Sequence, residues 1–125
     1  MAGIKALFVV CMTAVIGWLG GWDVGLKVLL ILIAADYLTG VLAGIYLKQL
    51  SSDIGLKGIC KKIMIIVLVG VAFWADTWTG NTGYVRSAFI VYFVSNEFIS
   101  IIENAAKMGI TVPDVLRKQV EDNAK

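Results

Sequence analysis

Asp36, Asp76 and Glu97 each stand inside an otherwise apolar stretch of this 125-residue chain, and Arg86 lies near the start of the stretch that holds Glu97. A charge facing lipid near the bilayer centre costs roughly 3 kcal/mol on insertion scales, so such groups face protein or water. Three kinds of chemistry are open to them: ion pairing between helices, lining of a water-filled lumen, or binding of a proton or cation in transit. Catalysis finds no support, and the chain reads as a non-enzyme. It contains no histidine, no nucleophile beside a base, and no phosphate-cradling loop with a following lysine. Gly55-Leu56-Lys57-Gly58 lacks the strand and spacing for phosphate. Cys11 and Cys60 stand far apart without metal-ligand spacing, so neither a metal, a cofactor nor a structural disulfide is expected.

The fourth apolar segment concentrates the polar groups. Arg86, Ile90, Phe93, Glu97, Ser100, Asn104 and Lys107 follow alternating steps of four and three, which places them on one helical face. Asn96 and Glu103 widen its polar end. Such a face suits an interfacial helix, salt bridging to Asp36 or Asp76, or the wall of an oligomeric lumen. In the second segment Asp36, Gly40 and Gly44 recur every four residues, with Thr39 and Ala43 alongside. That small-residue stripe lets another helix backbone approach closely, within the chain or from a second subunit. Asp76 lies near the exit of the third segment, where a solvated helix end is the simplest reading.

The elements that must position these residues follow from composition. Hydrophobic residues make up 59 % of the chain and charged residues 16 %, and mean hydropathy is +0.86. A soluble domain of this size needs more polar surface. Four spans of about 20 residues consume roughly 80 residues, leaving short connections and a tail. The expected spans are 4–20, 26–47, 63–79 and 84–102, in an all-α polytopic membrane domain covering 1–125. Lys5 precedes the first apolar run without a clean small-x-small cleavage site, so that run reads as a retained span. The polar connection 48–62 separates the second and third spans, and Gly80-Asn81-Thr82-Gly83 breaks the chain before the fourth. The fourth is marginal, because Arg86 and Glu97 oppose about ten strongly apolar residues.

Basic residues orient the spans. Lys48, Lys57, Lys61 and Lys62 fall in the second connection, and Lys107, Arg117, Lys118 and Lys125 in the tail. The first loop offers only Lys27 and the third only Arg86. Four spans with both termini in the cytoplasm put every basic cluster on one side. The tail, 107–125, reads as a short amphipathic cytoplasmic helix started at Thr111-Val112-Pro113-Asp114. The lysines otherwise serve as topology determinants and contacts for anionic lipid. A net charge of +2 without a basic, aromatic-studded soluble face argues against nucleic acid.

Several segments together resemble a known family. Asp36-Tyr37-Leu38-Thr39-Gly40, then Gly55-Leu56-Lys57-Gly58-Ile59 with Lys61-Lys62, then Asn96-Glu97, Ser100 and Glu103-Asn104 before Gly109 and Pro113, stand in an order and spacing similar to the phage-lysis and toxin-secretion holins of Gram-positive bacteria and their phages. The likeness runs from about Leu26 to Pro113. It implies a protein that accumulates in the bacterial cytoplasmic membrane, forms homo-oligomers and opens lesions through which an endolysin or a toxin reaches the wall. It supplies no catalytic residues. An antiholin regulator would share the pattern. From the residues alone, a small four-helix ion channel or transporter using Asp36 or Glu97 stays open beside it.

Overall fold

The computed structural model describes residues 1–115 and Lys118. They form four α-helices in chain order: α1 (Ala2–Trp18), α2 (Val24–Tyr46), α3 (Ser52–Trp78) and α4 (Tyr84–Lys107). There is no strand among the described residues. The all-helical expectation is met. The amphipathic tail helix falls mostly outside the described residues, with Asp114 and Val115 already helical.

Three helices are long and apolar enough to cross a bilayer: α2, α3 and α4, of 23, 27 and 24 residues. At 1.5 Å per residue each exceeds the ~30 Å hydrocarbon core. α1 has 17 residues and buries none of them. Its apolar side chains, such as Leu7, Phe8 and Val10, are exposed all round. Leu38, Ile59, Trp74 and Tyr92 are likewise exposed on the longer helices, a surface suited to lipid rather than water.

Local chemistry sets the helix starts. Asp23 caps α2 by accepting the Leu26 N–H at 2.8 Å, and Ser51 caps α3 by accepting the Ile54 N–H at 3.2 Å, with Asp53 in the first turn. That second cap changes the expected layout. The third helix begins eleven residues before the expected 63, at Ser52, and most of the connection 48–62 is helical. Its lysines and serines had the composition of a loop, but a capped start and tertiary partners outweigh composition. At the other extreme, Gly109 with φ of +85° ends α4.

α4 is the hub, packed most extensively on α2 and then on α3, whereas α2 and α3 barely meet. The loops 19–23 and 79–83 share one end of the bundle, joined by Arg86. Trp18, Trp22, Trp74 and Trp78 all lie toward this end and all are exposed, Trp18 on one side only because its ring rests on Gly70. Near it, Leu19, Leu26, Leu29, Ile33, Val69, Ile90 and Phe93 form the apolar core. The opposite end carries Lys48, Lys57 and Lys107. Two glycines are required by close packing near the tryptophan end. Gly20 has φ of +99°, and a Cβ on it would meet Phe73 Cδ1 at 2.6 Å and Arg86 Nε at 2.7 Å. A Cβ on Gly70 would fall 1.7 Å from the Trp18 ring, which rests directly on the α3 backbone there.

Candidate functional site

Asp36, Lys62 and Glu97 occupy the same level on three different helices. Asp36 is ten positions before Tyr46, Lys62 ten after Ser52 and Glu97 ten before Lys107. At 1.5 Å per residue each is about 15 Å from the lysine end, which is mid-bilayer for a ~30 Å core. There Lys62 Nζ donates to Asp36 Oδ2 at 2.6 Å and to Glu97 Oε2 at 2.9 Å. The side chains are 16 %, 13 % and 6 % exposed for Lys62, Asp36 and Glu97. One ammonium thus ties α3 to both other helices. Opposite charge within hydrogen-bond distance offsets the cost of removing ions from water, a cost of several kcal/mol per ion.

Asn104 fixes Asp36 from the other side. Its Nδ2 donates to Asp36 Oδ1 at 3.0 Å, to the Asp36 carbonyl at 3.2 Å and to Thr39 Oγ1 at 2.9 Å. The Thr39 hydroxyl in turn donates to the Ala35 carbonyl at 2.8 Å. This explains why Asp36 and Thr39 on α2 occur with Asn104 on α4: together they close a network between helices. Tyr37 lies across α3, where a Cβ on Gly55 would sit 3.5 Å from its hydroxyl and one on Gly58 would sit 3.9 Å from its ring.

A cavity of about 520 Å³ opens beside the cluster toward the lysine end. Asp36, Gly40, Ala43, Gly44, Asn96, Glu97 and Ser100 line it, with Gly55 and Gly58 on the α3 wall and Lys107 at the level of the connecting loop. Gly40 faces Asn104 and Gly44 faces Leu50, where added Cβ atoms would come to 3.6 and 3.3 Å. Of the expected α4 face, Arg86, Ile90, Phe93, Glu97 and Asn104 are buried. Ser100 is half-buried, and exposed Lys107 lies 3.9 Å from Glu103.

Arg86 and Asp76 build a second polar centre at the tryptophan end. Arg86 donates from Nε to the Leu19 carbonyl at 2.7 Å, from Nη1 to Asp23 Oδ2 at 2.6 Å and from Nη2 to the Gly21 carbonyl at 3.1 Å. Its charge closes the first loop rather than opposing insertion. Asp76 is 1 % exposed, not a solvated helix end. It accepts the N–H groups of Val85 at 3.0 Å and Arg86 at 2.8 Å. The cap position of α4 is Gly83, without a side-chain acceptor, so α3 supplies one from outside the helix. Asp23 lies outside the spans. Its partial burial pushes the carboxyl upward, but the Leu26 N–H and the Arg86 guanidinium outweigh this and hold it below its ordinary value.

The cluster brings Asp36 and Glu97 together through Lys62 and leaves Asp76 with Arg86 at the far end. Lys62 is the partner that sequence reasoning missed. Counted with the loop lysines, it sits ten residues inside a helix whose only early signal was Ser51 before Asp53. No group of three or more metal-ligating side chains is present among the described residues. Cys11 and Cys60 are free and exposed.

A model of the bacteriophage holin family matches residues 13–124. An uncharacterized protein of Listeria innocua is 46 % identical over 108 residues, covering 86 % of this chain and 77 % of its own length. One from Clostridium perfringens is 41 % identical over 117 residues, covering 92 % and 87 %. A probable holin of Bacillus phage phi105 is 32 % identical over 91 residues, covering 73 % of this chain and 67 % of the phage protein. No solved structure matches the chain. With an intramembrane polar cluster on three apolar helices and a family match over most of its length, the chain belongs to the bacteriophage holin family.

Proposed function

We propose that this protein is a holin that accumulates in the bacterial cytoplasmic membrane, assembles with copies of itself and opens lesions that release an endolysin or a toxin. The observation that carries the reading is the Asp36–Lys62–Glu97 cluster. In a single copy Glu97, on the polar side of α4, is paired internally with Lys62. At high density, exchange of helix partners turns Asn96, Glu97 and Ser100 toward a common lumen, where water replaces Lys62 as the partner of Glu97. In this scheme the shorter α1 is a fourth crossing, so both termini lie in the cytoplasm, a placement that the lysines at one end and the tryptophans at the other support.

The test is size-graded release from cells expressing this chain with a cytoplasmic muralytic enzyme. Delayed, sudden lysis with escape of folded cytosolic protein is the expected result. A second reading, a small ion channel, draws on the cavity that ends at the ion cluster. Flux of ions alone, from intact cells, would favour it. An antiholin would produce neither effect and would delay lysis by a co-expressed holin.

A further inference from the structure

The cavity beside the cluster is not symmetric across the molecule. At the lysine end Lys107 and Gln49 stand at its mouth, Ser100 and Gly40 lie deeper, and Asp36 and Glu97 form its floor at mid-bilayer. Beyond the floor the path stops. Leu29, Ile33, Val69, Ile90 and Phe93 fill the other half of the bundle, none more than 9 % exposed. The opening has a simple origin in sequence. Gly40 and Gly44 on α2 and Gly55 and Gly58 on α3 contribute no side chains to it, and these two helices barely meet.

Two further observations say what fills the space. At the floor two carboxylates share one bonded ammonium, and Lys61 also stands on the cavity lining. Charged groups at mid-bilayer are tolerable where water reaches them. The volume of about 520 Å³ suffices for on the order of ten waters, and Asn96, Ser100 and Asn104 offer them polar partners within a largely apolar lining. Lys62 and Asp36 also retain 16 % and 13 % of their side-chain exposure although they lie halfway along their helices.

We propose that the cavity is a one-sided aqueous vestibule, bringing water and small hydrophilic solutes from the lysine end to the Asp36–Lys62–Glu97 cluster and stopped there by the apolar plug. The closed protein then already holds half of an aqueous path. The proposal rests on α2, α3 and α4 crossing the bilayer and not on lesion formation.

Substituted-cysteine labelling tests it. In a Cys11→Ala/Cys60→Ala background, Ser100→Cys and Gly40→Cys report the vestibule, Ile33→Cys and Ile90→Cys the plug, and Tyr92→Cys the lipid face. Gln49→Cys and Asn81→Cys mark the two ends of the bundle. The probe is a charged, membrane-impermeant maleimide, applied to intact cells and to inverted vesicles. Thiolate forms readily only where water reaches, and each unit of pKa is tenfold in thiolate, so Ser100→Cys should react about ten-fold or more faster than Tyr92→Cys. It should do so from the side that labels Gln49→Cys and not from the side that labels Asn81→Cys. The plug positions should stay unmodified from both sides. Ser100→Cys reacting no faster than Tyr92→Cys, or reacting from both sides, would overturn the vestibule. Ser100 and Gly40 serve as independent reporters, so misfolding of one variant leaves the other to decide. Lysis timing of the same variants is scored separately, which distinguishes failure of the vestibule from failure of the holin reading.

Discussion

Asp76, at the end of α3, caps α4 from outside that helix: its carboxylate accepts the Arg86 N–H at 2.8 Å while buried to 1 % exposure. The same Arg86 extends its guanidinium to Leu19 and Asp23 in the first loop, so one residue pair joins four helix ends. Loss of the acceptor leaves the buried Arg86 N–H and the part-buried Val85 N–H unpaired. Asp76→Ala should lower stability in detergent by about 1–3 kcal/mol, read as the midpoint of thermal unfolding. Asp76→Asn retains one acceptor oxygen and should fall between the two.

Lys62 is the sole ammonium bonded to both Asp36 and Glu97 among the described residues. Removing one member of a buried ion pair costs more than removing all members together, because uncompensated charge remains. Lys62→Met should therefore destabilise the bundle by about 3–5 kcal/mol. The triple variant Lys62→Met/Asp36→Asn/Glu97→Gln should recover most of that loss. Equal destabilisation in the single and triple variants would count against the cluster as an energetic unit.

Glu97 and Asp36 also bear on timing. If their polar side turns toward a lumen when lesions open, Glu97→Leu and Asp36→Leu should change or abolish scheduled lysis while the proteins still accumulate in the membrane. Lysis on the parental schedule by both variants would reject the proposed rearrangement. The readout is culture turbidity after induction, with membrane levels measured alongside.

Trp18 rests on Gly70 so closely that a Cβ would overlap its ring at 1.7 Å. Gly70→Ala should force the ring away and cost about 1–3 kcal/mol, the usual range for overpacking. Since α1 buries none of its own residues, that contact and the Arg86 clamp hold it. Proteolysis within the 19–23 loop should accelerate in Gly70→Ala, and pairing it with Trp18→Ala should relieve the strain.

Asp23 sets an acid limit on the first loop. Its folded carboxyl lies below the ordinary 3.8 despite partial burial, because the Leu26 N–H and Arg86 favour the charged form. A lowered folded pKa stabilises fully above the ordinary value, and that contribution is lost as pH falls through the folded one. Stability from this contact should be flat from pH 5 upward and should decline below about 4. Asp23 is half-exposed, so solvent screens the effect and it should be small. Asp23→Asn should remove this acid-dependent component, checked by thermal unfolding of both proteins across that range.

The pattern of residues alone determined much of this architecture. Steps of four and three from Arg86 to Lys107 placed one face of α4 inward, and its buried residues are drawn from that set. Apolar length and glycine-bearing turns marked the helices, because backbone hydrogen bonds in lipid must close within each segment. Intramembrane Asp36 and Glu97 signalled a need for partners, since charge in hydrocarbon is costly wherever it occurs. The partners themselves were decided by tertiary structure. Lys62 lies 26 positions from Asp36 and 35 from Glu97, and nothing local distinguishes it from its neighbour Lys61. Only the start of α3 at Ser52 and the packing of three helices bring it to their level. Asp76 was equally ambiguous, because a carboxylate at a helix end suits water or an adjoining helix. What decided between them was the fold of the 79–83 turn, which carries the first N–H groups of α4 to it. Distance along the chain encodes periodicity well, but it does not encode which faces meet, and ion pairs form where faces meet.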